Sequence, residues 1–293
     1  MKALVSDAQL LELNRLGIIP GPDETEGIFL DRAEACLRLS ETLRIQPIEY
    51  LGVNANISTA PFLKVPLEES LELHGIAPDW VPLFFNNRGL APWHGGCAWI
   101  CENGSSNVAF LQLREPFART SRYLLLYQRD ELITHECSHI GRMAFEEPLF
   151  EEIIAFQSSS SPIRRWLGPI LQSAREALLL FTILFLLLVF DIGLLIYPSK
   201  TGIEWALSLK LIPLSLIGFG LARLAILHNR FNSCLRNLET LLSDSQKARA
   251  VIYRLRDREI WKFSKLSAKD ILHYAHEHGK KSLRWRLLLL AYF

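Results

Sequence analysis

Two apolar stretches set back to back limit the folds open to this chain more than any other feature. Residues 177–197 (ALLLFTILFLLLVFDIGLLIY) and 205–227 (WALSLKLIPLSLIGFGLARLAIL) are 21 and 23 residues long. As helices rising about 1.5 Å per residue, each is long enough for the roughly 30 Å hydrocarbon core of a bilayer. Asp191 is the only charge in the first stretch, and the second has Lys210 and Arg223 near its ends. Pro198, Ser199, Lys200, Thr201 and Gly202 supply the turn between them. A pair of buried core helices is the competing reading, but a run as leucine-rich as 178–190 is rare inside soluble proteins. The pattern predicts a helical hairpin that crosses the membrane twice.

Charge gives the hairpin a direction. Arg164, Arg165 and Arg175 precede it, Arg230 and Arg236 follow it, and the connecting turn holds only Lys200. By the positive-inside rule both flanks, and so both termini, face the cytoplasm. The opening residues, MKALVSDAQLLELNRLGIIPGP, contain no unbroken apolar core of the signal-peptide kind, so nothing predicts export of the front part. Five cysteines, an odd number, suit a reducing compartment, and Cys97 and Cys101 read as ordinary strand cysteines. The net charge of +1 hides an asymmetry: residues 1–176 carry 15 Lys/Arg against 23 Asp/Glu, and residues 228–293 carry 14 against 6. A basic tail fits nucleic acid or an anionic membrane surface, and the neighbouring hairpin favours the membrane. No nucleic-acid partner is expected.

Within the front part, residues 1–80 read as mostly helical, with Asp7 and Asp31 as N-caps and a break at Pro20-Gly21-Pro22. Residues 96–101 and 108–113 flank Glu102-Asn103-Gly104-Ser105-Ser106 and predict a β-hairpin. A helix then starts at Arg129 or Asp130 and carries His135-Glu136-Cys137-Ser138-His139, the pattern H-E-x-x-H. Residues four apart share a helix face, so both imidazoles can reach one metal ion while Glu136 stands beside them. Ile133, Cys137, Ile140 and Ala144 form an apolar stripe nearly opposite the histidines. The same geometry suits histidines that only face solvent. A second short helix begins near Pro148 and presents Glu151 and Glu152.

The stretch 135–156 (HECSHIGRMAFEEPLFEEIIAF) resembles the gluzincin class of metallopeptidases, in which H-E-x-x-H is followed by a glutamate ligand on a downstream helix. The resemblance implies a Zn2+ ion held by His135, His139 and Glu152, with Glu151 as the alternative third ligand. It implies metal-assisted hydrolysis of a peptide or protein substrate, with Glu136 as the general base that passes a proton from water to the leaving amine. In membrane-associated members, alanine and then aspartate often follow three residues after the ligand. Ala155 matches, but Phe156 stands at the aspartate position, so the partner that orients the first histidine must come from elsewhere. The class also pairs an edge strand with extended substrate, which points to Val108, Phe110 and Gln112. Arg142 and Tyr127 are candidates for stabilising the oxyanion, and His94 either lines the cleft or is structural.

The expected fold is α+β: residues 1–160 form a mainly helical, zincin-like catalytic domain with a small β-hairpin or sheet, and residues 161–176 a linker. Residues 177–227 form the two-helix transmembrane hairpin, and 228–293 a basic helical C-terminal region. The expected function is a membrane-anchored zinc metallopeptidase. The alternative is a non-catalytic, membrane-anchored interaction protein in which H-E-x-x-H is accidental or degenerate. Two further expectations can be checked directly. Asp191 and Lys210 fall at similar depth and should pair. The segment 280–293 (KKSLRWRLLLLAYF) either lies on the membrane face or packs as an ordinary terminal helix.

Overall fold

The computed structural model describes residues 4–45, 60–91, 94–103, 106–124, 127–170 and 174–293. The chain opens with Ser6, whose hydroxyl accepts the Gln9 N–H and starts α1 (Asp7–Arg15). Ser6, rather than Asp7, is therefore the cap, and Asp7 supplies negative charge to the first turn. α2 (Glu26–Ile45) begins earlier than the sequence suggests, which puts Asp31 inside the helix instead of at its cap. α3 (Ala60–His74) ends on Gly75, whose φ of +70° and 3.1 Å clearance to the Ala250 side chain suit a residue without a Cβ.

A three-stranded sheet follows, made of β1 (Leu83–Phe85), β2 (Gly96–Asn103) and β3 (Ser106–Leu113), in the order β1-β3-β2. β2 and β3 form the expected antiparallel hairpin, with Ala98 opposite Leu111; Gly104 and Ser105, at the centre of its loop, lie outside the described residues. β1 pairs in parallel with β3 from Leu83↔Leu111 to Phe85↔Leu113. A three-residue strand whose partner is so distant leaves no periodic signal of its own, so the sequence does not announce it. A small ribbon, β4 (Arg122–Tyr123) and β5 (Tyr127–Gln128), leads directly into α4 (Arg129–Gly141). Then come α5 (Pro148–Ala155) and the short α6 (Pro162–Leu167), which starts on Ser161 as its cap.

α7 (Ala174–Ile196) is the first apolar helix, and none of the residues in its apolar window is buried. Leu178, Phe181, Phe185, Leu186 and Leu188 all point outward, which excludes a buried core helix. Ser199 caps α8 (Lys200–Leu209), so the turn is shorter than expected and Lys200 already belongs to a helix. α8 gives way at Lys210 to α9 (Leu211–Leu242). Pro213 has no N–H to give the Leu209 carbonyl, and the break falls between them. α7, α8 and the first part of α9 form the transmembrane hairpin. Lys210 Nζ lies 3.1 Å from Asp191 Oδ2, the pairing expected from their depth.

α9 continues well past Leu227, and its later turns bury Phe231, Cys234 and Leu238. α10 (Ser245–Tyr253), α11 (Asp257–Phe263), α12 (Ala268–Gly279) and α13 (Leu283–Tyr292) complete the chain. These helices share a hydrophobic core with the front part: Leu10, Ile76, Ile140, Val251, Ile260 and Leu288 belong to one buried cluster. Residues 228–293 are thus packed into the same body as the described residues of the front part, not appended to it. α13 takes the terminal-helix alternative, with Trp285, Leu287 and Leu288 buried. Polar ties hold the join. Arg254 donates to Asn14 Oδ1 (2.7 Å) and to the His74 carbonyl (2.7 Å), and Arg256 Nε to Glu147 Oε1 (2.7 Å); within the C-terminal part Arg284 and Glu259 form a buried pair at 2.9 Å.

Candidate metal centre

The site is built from α4 and α5. α4 buries Ile133, Cys137 and Ile140 in the core, while Ala144 lies beyond the helix end at Gly141. That buried face turns His135 and His139 to the other side, towards α5. The α4–α5 connection contains Glu146 at φ +51° and Glu147, whose carboxylate accepts from Arg256 Nε (2.7 Å) and Asp257 N–H (2.9 Å). α5 begins with Pro148 in its first turn, where a missing N–H costs nothing. The Asp257 carboxylate takes the next N–H groups, from Leu149 (2.8 Å) and Phe150 (3.3 Å). It serves as an N-terminal cap lent by a segment more than 100 residues downstream.

His135, His139 and Glu152 converge. Their Nε2 atoms are 3.4 Å apart, Glu152 Oε2 is 3.8 Å from His135 Nε2, and Glu152 Oε1 is 3.7 Å from His139 Nε2. Donors on a tetrahedron with metal bonds of about 2.0–2.1 Å stand roughly 3.3–3.4 Å apart. The observed spacings are close to that, and two imidazoles with one carboxylate are a donor set suited to zinc. Glu151, the alternative ligand, is placed differently: its Oε1 is 2.9 Å from His139 Nδ1, where it fixes the ring and leaves Nε2 facing Glu152. His135 packs against the Phe156 ring at 4.7 Å, its own ring centroid 5.1 Å from that of His139. The Phe156 ring itself therefore packs on His135, where the resembling class uses aspartate.

Glu136 is buried beside the histidines, and its Oε2 accepts the Ala98 N–H at 2.8 Å. Among the described residues Oε1 carries no hydrogen bond. Burial raises both Glu136 and Glu152 above the ordinary carboxylate range. His135 is held well below its usual range by burial and by neighbouring His139. Burial also works against charge on His139, but the Glu151 hydrogen bond and the carboxylates of Glu152 and Glu136 outweigh it and raise the ring to about 9. Three carboxylates around two imidazoles make this a pocket that favours a cation.

The strand candidates are not where an extended peptide could reach them. β3 is the central strand, and Val108, Phe110 and Gln112 are buried. Gln112 is fully engaged, accepting from Trp99 Nε1 and donating to the Asn86 and Arg88 carbonyls. The edge is β2. Leu111 donates its N–H to Pro82, on the β1 side, so its partner Ala98 directs its own backbone groups away from β3. Ala98 N–H meeting Glu136 shows that this free edge runs past the site.

Arg142, an oxyanion candidate, is buried with its guanidinium donating to the Tyr253 (2.5 Å) and Leu255 (3.2 Å) carbonyls, so it holds the C-terminal helices instead. Tyr127 lies against Gly95 and under the Arg164 guanidinium at 5.9 Å, and His94 is exposed before β2. The sequence reading missed three contributors. Tyr253 donates its hydroxyl to the Ser138 carbonyl at 2.7 Å, Asp257 caps α5, and Arg164 sets a positive charge near His135. The first two act across long sequence separations. Arg164 carried only a topological signal.

Compared with known proteins, the chain matches no family model, no curated sequence and no solved structure.

Proposed function

We propose that the chain is a membrane-anchored zinc metallopeptidase whose site lies between α4 and α5. The observation that carries this reading is the convergence of His135, His139 and Glu152 at ligand spacing beside a buried Glu136. No similar protein contributes to it.

A zinc ion held by His135, His139 and Glu152 would supply Lewis acidity towards a carbonyl and would lower the pKa of water towards neutrality. The chain's own residues do the rest. The Ala98 N–H fixes Glu136 Oε2, so Oε1 takes the proton from water and returns it to the departing amine nitrogen. Glu151 holds the His139 ring by its hydrogen bond, and Phe156 packs against His135. The outward backbone groups of Ile100, next along this edge from Ala98, pair with an extended substrate in place of β3. The positively charged flanks of the hairpin put this unit and both termini on the cytoplasmic side. The partners in this reading are the bilayer and a peptide or protein substrate.

Metal analysis of the full chain purified in detergent tests the reading. About one equivalent of zinc is expected in the wild type, with loss in His135→Ala and Glu152→Gln. Glu151→Gln should keep the ion at an affinity lower by about 10–100-fold, as for outer partners of ligating histidines. A wild-type protein that binds no zinc would sink the enzyme and leave the non-catalytic interaction module.

A further inference from the structure

The base of the hairpin is marked by an ion pair. Arg223 on α9 meets Glu176 on α7 through both guanidinium nitrogens, at 2.6 and 2.9 Å, and also donates to the Ile170 carbonyl. From Glu176 to Ile196 the helix rises about 30 Å, one hydrocarbon thickness, so this pair sits near one boundary of the core. His228 is five residues further along α9, about 7.5 Å beyond that boundary. Each headgroup layer is about 5–7.5 Å thick, so His228 lies at its depth.

α6 is fastened at this level. The Trp166 carbonyl is 3.0 Å from His228 Nε2, and the two rings stack at 5.8 Å with 12° between planes. On α6, Ile163, Trp166 and Leu167 fall at i, i+3 and i+4, one helix face, and are 69%, 41% and 37% exposed. The arginines of α6 leave from other sides of the helix: Arg164 pairs with Glu131 of α4 at 3.0 Å, and Arg165 is exposed and donates to the Ser159 carbonyl. Glu131 also accepts from Ser160 Oγ at 3.0 Å, so the face cannot turn away without breaking its link to the site helix. Exposed apolar groups in water at this position would gain nothing. In the interfacial layer, an isoleucine, a leucine and a tryptophan are the residues a bilayer retains.

We infer that the Ile163–Trp166–Leu167 face of α6 is embedded in the headgroup layer, a second bilayer contact that fixes how the soluble body lies on the membrane. Continuity with the hairpin selects lipid as the occupant. The contact also reaches the candidate centre. Gly168 packs so closely on Phe156 that a Cβ there would come within 2.3 Å of the ring, and Phe156 in turn covers His135. One aromatic ring thus separates the end of α6 from a candidate ligand.

The test uses the full chain reconstituted into vesicles of phosphatidylcholine and phosphatidylglycerol. A benzophenone amino acid replaces Ile163 or, as the control, Lys265. Lys265 is exposed, and the neighbouring Leu266 carbonyl is bound by Asn237, 14 residues and about 21 Å beyond Arg223 along α9. After illumination, mass spectrometry should find lipid adducts at position 163 at least tenfold above those at 265. Equal yields at the two positions would overturn the inference. So would a crosslink from position 163 into a second copy of the chain, which would make the face a dimer contact. Both sites are exposed, so neither substitution threatens folding, and the readout is independent of zinc binding and of peptide cleavage.

Discussion

Two polar clusters in this molecule each centre on a glutamate, to opposite ends. Around Glu259, every acceptor position is filled by a donor. Oε1 receives Arg284 Nη2 and Trp285 Nε1, each at 2.9 Å, and Oε2 receives Arg284 Nη1 at 2.9 Å and the Arg256 N–H at 2.8 Å. Around Glu152, the nearest nitrogens stand at 3.7 and 3.8 Å, outside hydrogen-bond distance but at the spacing of ligands around one ion. The protonation tendencies diverge accordingly. Burial works against charge on Glu259, but Arg284 outweighs it and holds the carboxyl below its ordinary value, while burial raises Glu152 and Glu136. A cluster that satisfies itself is architecture. One in which a carboxylate and two imidazoles converge at ligand spacing, with no hydrogen bond from Glu152 to either ring, has room for a cation between them.

The sharpest way to break this contrast is Glu136→Gln. It keeps the three converging donors and removes only the proton acceptor. Peptide hydrolysis should fall by about 10²–10⁴-fold, the usual worth of a general base, with zinc content unchanged. Parallel turnover and metal measurements check it. A variant that retains activity would return Glu136 to a structural role.

Next in size is stability. Arg284→Met leaves Glu259 buried without its cation and should cost about 3–5 kcal/mol in denaturant unfolding of the detergent-solubilised protein. Glu152→Gln in zinc-free protein should cost almost nothing, because it removes one of three neighbouring carboxylates and no hydrogen bond to its own oxygens. Comparable losses in the two variants would erase the distinction between the clusters.

The same comparison has a pH signature on the Glu259 side. A carboxyl with a depressed folded pKa contributes stability that is present above its unfolded value, about 4.5, and lost as pH falls through the lower folded value. The wild type should therefore lose stability below about pH 4.5 more steeply than Glu259→Gln does. Thermal transitions recorded from pH 6 down to pH 3 would show it, and parallel curves for the two proteins would remove the effect from Glu259.

These two clusters were unequally legible in the sequence. His135 and His139 share a helix face because they are four residues apart, so local periodicity alone places them together. Choosing Glu152 over Glu151 depends on the angle at which α5 meets α4. Asp257 and Tyr253 set that angle from more than 100 residues away. The edge strand was misread for a similar reason: β1 pairs with β3 across a long loop and turns the expected edge into the sheet's centre. Arg284 and Glu259 lie in a tail whose basic composition suggests a surface, and only the fold reveals their burial. The hairpin was readable from length and hydropathy, whereas the break at Lys210 required noticing that Pro213 leaves the Leu209 carbonyl without a helical donor.

The smallest expected effect concerns a third ion pair, between Asp191 and Lys210. It resembles the Glu259 cluster in being a direct contact, but its side chains are 38% and 49% exposed on a surface that faces lipid. Each partner can also reach towards the interface, as charged chains near helix ends do, so losing one does not strand the other as it would in the core. A double-mutant cycle with Asp191→Asn and Lys210→Met should give a coupling of about 0.6 kcal/mol, the average for polar contacts between membrane helices. Additive losses would mean that the charges snorkel independently and that the break at Lys210, not the pair, sets the hairpin's register. A coupling as large as the Arg284 effect would mean that the pair is shielded from lipid and water in the assembled protein, and would move it into the same class as Glu259.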